Sequence, residues 1–190
     1  MTTKNIHEFD DLMRDLDIDV NTLGCVMLPT EAFDIFGEGR DCLLAVEDLY
    51  VSENPAKHWV NGDVSDNAHI TLLYGLMTPA YKQKEAVNRV LDTWDCPEYF
   101  VPEQVTFFPS PDKDEPGYAA IVVEIEDPHL VEAMQRLSYL PHVNTFAVYR
   151  SHMTLCYVKL EAAQRWMDIL NETPFHIYVK EGELNYGSKK

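Results

Sequence analysis

The sequence predicts an α+β fold built on antiparallel or mixed sheets, and three observations carry that expectation. Short β-type and helical segments alternate irregularly, with several strand–strand neighbours, which argues against a doubly wound parallel sheet. A hexapeptide pattern, H-x-T-L-x-Y, occurs twice, once in each half of the chain. Apolar residues make up 46% of 190 residues, enough to bury a core without disulfides or a structural metal.

The elements follow in order. Residues 5–19 place Ile6, Phe9, Met13 and Leu16 at helical spacing among acidic residues, predicting a short acidic amphipathic helix. Residues 1–21 are therefore read as an N-terminal acidic helical segment, and 22–190 as a single bilobal domain. Thr22 to Leu28 predicts a strand ended by Pro29, and 30–36 a short helix stopped by Gly37 and Gly39. Leu43 to Val51 predicts a strand, and the Asn/Asp/Gly/Pro-rich stretch 52–67 a loop. His69 to Tyr74 is a compact strand closed by Gly75. A helix over 79–94 puts Tyr81, Val87, Val90, Leu91 and Trp94 on one face. Strands follow at Val101–Phe108 and Tyr118–Glu126, separated by the loop 109–117. Asp127 and Pro128 suit the cap and first turn of a helix running through Leu137. Thr145–Tyr149 and His152–Val158 predict strands, 161–171 a helix, and Phe175–Lys180 a last strand.

Charge and cysteine usage narrow the chemistry. Fifteen Lys and Arg stand against 32 Asp and Glu, a net charge of −17. Long nucleic acids, which bind through basic faces that release counterions, are disfavoured partners. A small anion held locally in one pocket is compatible with the same charge. The four cysteines form no C-x-x-C pair, so zinc ligation and a disulfide framework are not expected. No signal peptide or apolar membrane span is visible, and the expected location is the cytoplasm. Phosphate-cradling G-x-x-x-x-G-K and G-x-G-x-x-G loops are absent.

The repeated motif carries the functional signal. Its copies are His69-Ile70-Thr71-Leu72-Leu73-Tyr74 and His152-Met153-Thr154-Leu155-Cys156-Tyr157. One such window arises by chance on the order of once in a hundred thousand positions, so a duplicated lobe is the natural source of two. In a strand, residues i and i+2 share a face. His69 and Thr71 therefore project together, as do His152 and Thr154, while Ile70, Leu72 and Tyr74, and Met153, Leu155 and Tyr157, are expected to pack into the core. Two imidazoles around one phosphodiester suffice for cleavage without a metal. One takes a proton from the attacking oxygen and the other protonates the leaving oxygen, while the threonine hydroxyls donate to non-bridging oxygens. Arg150 shares the face of His152 if the strand extends that far. It is either a phosphate-binding fork or a solvent-facing edge charge. Tyr149, Phe107, Phe108 and Trp59 are candidates to stack on a base, with core packing as the competing reading for each. His58, His129, His142 and His176 show no metal-ligand spacing.

On these two motifs the chain resembles the two-histidine phosphoesterase superfamily. That group includes bacterial RNA 2′,3′-cyclic phosphodiesterases (once called 2′–5′ RNA ligases), plant cyclic phosphodiesterases, domains that degrade 2′–5′ oligoadenylate, and viral enzymes that destroy cyclic-nucleotide immune signals. The resemblance implies two pseudo-symmetric lobes, each an antiparallel sheet with flanking helices, around a central groove. It implies hydrolysis without metal or other cofactor, with His69, Thr71, His152 and Thr154 as catalytic residues. The run from His69 to Leu76 and the preceding loop look most like members found in bacteriophages. Many members have Pro before the second His, where this chain has Ser151. The substrate so implied is a small cyclic or 2′-linked nucleotide, possible forms being a cyclic oligonucleotide immune signal or an RNA 2′,3′-cyclic end. A non-catalytic nucleotide-binding protein on the same fold is the alternative in another class.

Overall fold

In the computed structural model the described residues are 23–62, 67–77, 80–143, 148–182 and 184–188. The helix expected over 5–19, the domain boundary at 21, and most of the strand expected over 145–149 lie outside them.

The fold is α+β, as the irregular alternation of elements predicts. Six strands form one antiparallel sheet in the order β4-β5-β6-β2-β1-β8: β4 (Gln104–Pro109), β5 (Tyr118–Glu124), β6 (His152–Lys159), β2 (His69–Leu76), β1 (Gly24–Pro29) and β8 (Asn185–Ser188). A second, two-stranded sheet pairs β3 (Tyr99–Phe100) with β7 (Ile177–Tyr178). The helices are α1 (Lys84–Leu91), α2 (Pro128–Leu137) and α3 (Ala163–Asn171). None of the described helices is long and apolar enough to cross a membrane.

The large sheet is two three-stranded halves, β4-β5-β6 and β8-β1-β2, that touch through one ladder pair. Ile70 of β2 lies opposite Met153 of β6, and both are sealed from solvent. Beyond that pair the motif strands part, and a loop from the opposite half satisfies each freed edge. Tyr50 N donates to Tyr157 O (2.9 Å) and Tyr157 N to Gly62 O, while Val143 N donates to Gly75 O (2.8 Å) and Met77 N to Pro141 O. Each motif strand then feeds a short 3-10 turn and a helix: Ala80–Gln83 into α1, and Leu160–Ala162 into α3. Core side chains of all three helices join one face of the sheet in a single cluster, Val87, Leu130 and Trp166 with Ile70, Ile121 and Met153. The opposite face is left for His69, Thr71, His152 and Thr154.

The motif strands are not regular. Thr71 and Leu73 lie opposite the consecutive residues Met27 and Val26, so Leu72 is an extra residue in its strand. Thr154 and Cys156 lie opposite the consecutive residues Val122 and Ile121, so Leu155 is extra in the same way. A bulge at the same motif position in both copies shifts the alternation by one residue. Leu73 and Cys156 become buried, and Tyr74 and Tyr157 turn to the groove face, where Tyr157 lies opposite Ala120. The strict alternation that assigned both tyrosines to the core fails for this reason. Gly75 is the next unpaired residue of β2, at φ 108°, so the strand continues through the glycine to Leu76 instead of closing there.

Two further expectations are corrected. No helix forms over 30–36; the chain is irregular there and then makes turns, with Phe33 and Phe36 packed on Phe175 and Trp166. Residues 43–51 hold a 3-10 turn at Val46–Asp48 and isolated bridges instead of a continuous strand. Asp48 accepts hydrogen bonds from Trp166 Nε1 and Arg165, which draws this turn onto α3. The short strands β3 and β8 carry no period-2 pattern long enough to predict. Asp127 and Pro128 do begin α2, with Asp127 Oδ1 accepting from His129 N at 2.8 Å.

Candidate active site

Antiparallel continuation of the Ile70–Met153 pair sets Thr71 across from His152, and Thr154 across from His69. The four motif side chains therefore form a small diagonal square at the centre of the sheet, on the face away from the helices. This brings the two sequence-predicted pairs together on neighbouring strands, each half-buried.

The histidines are anchored alike. His69 Nδ1 lies 2.6 Å from Asn67 O, and His152 Nδ1 lies 2.9 Å from Arg150 O, each carbonyl two residues upstream. A carbonyl can only accept, so Nδ1 carries the proton in both rings. Nε2 is then the nitrogen left to exchange protons with a ligand. In the neutral ring it is an acceptor and in the cation a donor, the two states that acid–base catalysis needs. His142 Nδ1 makes the same contact to Leu140 O, so the anchor gains its meaning from the paired threonines beside it.

On the β6 side, ladder register defines the surroundings. Gln104 and Glu124 lie in one row with His152, and Thr106 and Val122 in one row with Thr154. Phe108 comes from the same face of β4 and sets its ring edge-on to the His152 imidazole, at a centroid distance of 5.5 Å. Phe107 alternates to the other face and packs against the core, so Phe108 is the aromatic placed at the site. On the β2 side the row neighbours are apolar: Pro29 lies opposite His69, and Met27 opposite Thr71.

Tyr149 crosses between the halves. Its hydroxyl donates to Thr71 O at 3.1 Å, and burial holds that hydroxyl well above the usual phenol range. The ring is thus tied to the backbone of the first motif. Arg150 is exposed just before β6, and no ion-pair partner for it lies among the described residues. Ser151, the residue before His152, is buried and donates from its hydroxyl to Ile125 O, while Ile125 N donates to Ser151 O. These two bonds extend the β5–β6 ladder past His152 and steady the approach of the strand.

The loop 46–62 walls the groove beyond Thr154. Tyr50 stacks on Tyr118 (5.0 Å between centroids), and Tyr118 meets Tyr157 edge-on at 5.9 Å. Lys57 ion-pairs with Asp112 and Glu115, and Tyr50 donates to Glu115 at 2.6 Å. The hydrogen bond from Lys57, joined by those from Ser52 and Tyr50, brings the Glu115 carboxyl down to about 2. Trp59 is exposed on this loop, edge-on to His58. Among the described residues no three His, Cys, Asp or Glu side chains are grouped to hold a metal ion.

Sequence reasoning missed Glu124, Gln104, Tyr118 and Tyr50. Tyr74 and Tyr157 had a signal, as the last residue of each copy of the repeated pattern. Their direction depended on the bulges.

No protein-family model matches the chain, and no curated protein matches it in sequence. Among solved structures it is similar to that of Kluyveromyces marxianus Usb1, with 8% identity and a TM-score of 0.49 over 90% of this chain and 96% of that one. It is likewise similar to Kluyveromyces marxianus Usb1 with uridine monophosphate, with 9% identity and a TM-score of 0.44 over 88% and 99% of the two chains.

Proposed function

We propose that residues 22–190 form one two-histidine phosphoesterase domain. It hydrolyses a small cyclic or 2′-linked nucleotide in the cytoplasm, as its bacteriophage-type motif context implies. The observation that carries this reading is the diagonal square of His69, Thr71, His152 and Thr154, with both rings anchored through Nδ1.

The chemistry follows from the four groups. A phosphodiester seated between the rings has one Nε2 near the attacking water and the other near the leaving oxygen. The neutral imidazole takes a proton from water as its oxygen bonds to phosphorus. The imidazolium gives its Nε2 proton to the departing oxygen as the P–O bond breaks. The products are a phosphomonoester and a free hydroxyl, and the pair has exchanged protonation states. Thr71 and Thr154 donate to the non-bridging oxygens, whose charge persists through the transition state. Arg150 adds an exposed cation at the edge of the site. The stiff, bulged strands hold the donors in place before substrate arrives.

A panel of cyclic dinucleotides, cyclic trinucleotides and nucleoside 2′,3′-cyclic phosphates, incubated with the protein in EDTA and read by mass spectrometry, tests this reading. The expected result is a gain of one water by at least one substrate, abolished in the His69→Ala, His152→Ala double variant. Binding without turnover across the panel favours a nucleotide-sequestering protein. Turnover restored only by a divalent ion refutes the two-imidazole mechanism.

A further inference from the structure

The two sides of the square differ in a way the repeated motif does not require. Beyond His69 the sheet face offers Pro29 and Met27, whereas beyond His152 it offers Glu124 and Gln104. A cavity of about 640 Å³ opens on that second side, lined by Gln104, Glu124, Val131, Tyr149 and Arg150 among others. It begins at the ladder and chain neighbours of His152, and its volume lies in the range of ligand pockets. Three further carboxylates, Glu103, Glu126 and Asp127, share its wall. These surroundings repel phosphate and favour the uncharged, hydrogen-donating end of a nucleotide, while Arg150, two residues before His152, is the cation on the cavity wall.

Gln104 Nε2 donates to Glu124 Oε2 at 2.8 Å. An amide nitrogen has two hydrogens, and a carboxylate accepts at about four lone-pair sites. The pair therefore still presents one N–H donor beside a carboxylate acceptor. Guanine complements that order, because its O6 accepts while N1–H and N2–H donate side by side. Uracil sets carbonyl oxygens on both sides of its single N–H. Adenine and cytosine each set a ring-nitrogen lone pair next to their amino group. Uracil so placed turns its second carbonyl toward the Glu124 carboxylate, while adenine and cytosine, with the ring nitrogen on Gln104 and the amino group on Glu124, satisfy one carboxylate oxygen and leave the other without the second ring-edge donor that guanine supplies.

We infer that the cavity beyond His152 is a nucleobase subsite selective for guanine, read by the Gln104–Glu124 pair. This rests on the phosphodiesterase reading for what happens to the bound nucleotide, but base selection is measurable without turnover.

Calorimetric binding of 3′-GMP, 3′-IMP and 3′-UMP to the wild type and to Glu124→Gln tests it. A paired hydrogen bond to a carboxylate makes 3′-GMP tighter than 3′-UMP on the order of 10- to 100-fold, with 3′-IMP, which lacks the 2-amino group, between them. Glu124→Gln keeps the side-chain shape and should remove most of that preference while 3′-UMP affinity stays within about twofold. Equal affinities for 3′-GMP and 3′-UMP in the wild type overturn the inference. So does a Glu124→Gln variant that loses both ligands alike, which would mark Glu124 as a structural residue, and so does binding of none of the three. Selective 3′-GMP binding by a protein that cleaves no phosphodiester keeps the subsite and refutes the enzyme. Cleavage of guanosine and uridine 2′,3′-cyclic phosphates at equal kcat/KM does the reverse.

Discussion

At the scale of the residue, the site depends on two rings whose free nitrogen is set by a backbone carbonyl. On the proposed two-imidazole mechanism, His69→Ala and His152→Ala would each remove one proton-transfer step and lower kcat by roughly 10²- to 10⁴-fold. The double variant should lose far less than the product of the single losses, because residues acting as a unit are not additive. Steady-state rates of the three variants, with circular dichroism to verify folding, check this. Thr71→Ala or Thr154→Ala should cost less, since each removes one neutral donor among several. Tyr149→Phe removes the bond to Thr71 O and should destabilise the fold by about 0.5–1.5 kcal/mol in denaturant titration. Had Tyr149 been a stacking platform only, this variant would be silent in stability.

At the scale of the element, the bulges and the clamped loop decide what faces the groove. Removing Leu72 should restore strict alternation while keeping Leu73 toward the helices and Tyr74 on the groove face. The expected readout is a loss of stability with no gain in activity, because a fully buried leucine is lost while the faces on either side of it are unchanged. The loop 46–62 is held by Lys57 against Asp112 and Glu115. The Glu115 carboxyl falls from 4.5 to about 2 on folding, with the Lys57 hydrogen bond as the largest cause. A depressed carboxyl contributes stability that is fully present above its unfolded value and is lost as pH falls through the folded one. Hydrogen exchange in 46–62 should therefore quicken between about pH 4.5 and pH 2, relative to β5, and the Lys57→Met variant should show the faster exchange already at neutral pH. Exchange in this loop that ignores both acid and Lys57 would refute the clamp.

At the scale of the whole molecule, two half-sheets are joined at their motif strands by one buried pair. Ile70 and Met153 hold the square of His69, Thr71, His152 and Thr154 in register while offering no polar group to it. Truncating either to Ala should cost about 2–5 kcal/mol by denaturant melt, the range for buried large-to-small changes. Activity should fall further than the stability loss explains, because a shift of about 1 Å between the halves separates the two imidazoles' targets. Conservative Met153→Leu, of similar volume, should restore most of both. A variant with a large cavity at this pair and wild-type kcat would show that the halves are held in register by other contacts.

The sequence by itself determined the α+β class, the two motif strands, the capped start of α2 at Asp127 and the sharing of one face by His69 with Thr71 and by His152 with Thr154. These are local properties: period-2 geometry, cap chemistry and a repeat that chance does not produce. The tertiary structure alone decided the rest. Strand pairing turned two distant motifs into one diagonal square, since nothing in either hexapeptide specifies its neighbour. Bulges at Leu72 and Leu155 sent Tyr74 and Tyr157 to the groove, because a bulge exists only against a partner strand. Alternation within β4 chose Phe108 over Phe107, and ladder register set Glu124 and Gln104 beside His152. Each of these is a relation between segments far apart in the chain, which a reading along the chain does not contain.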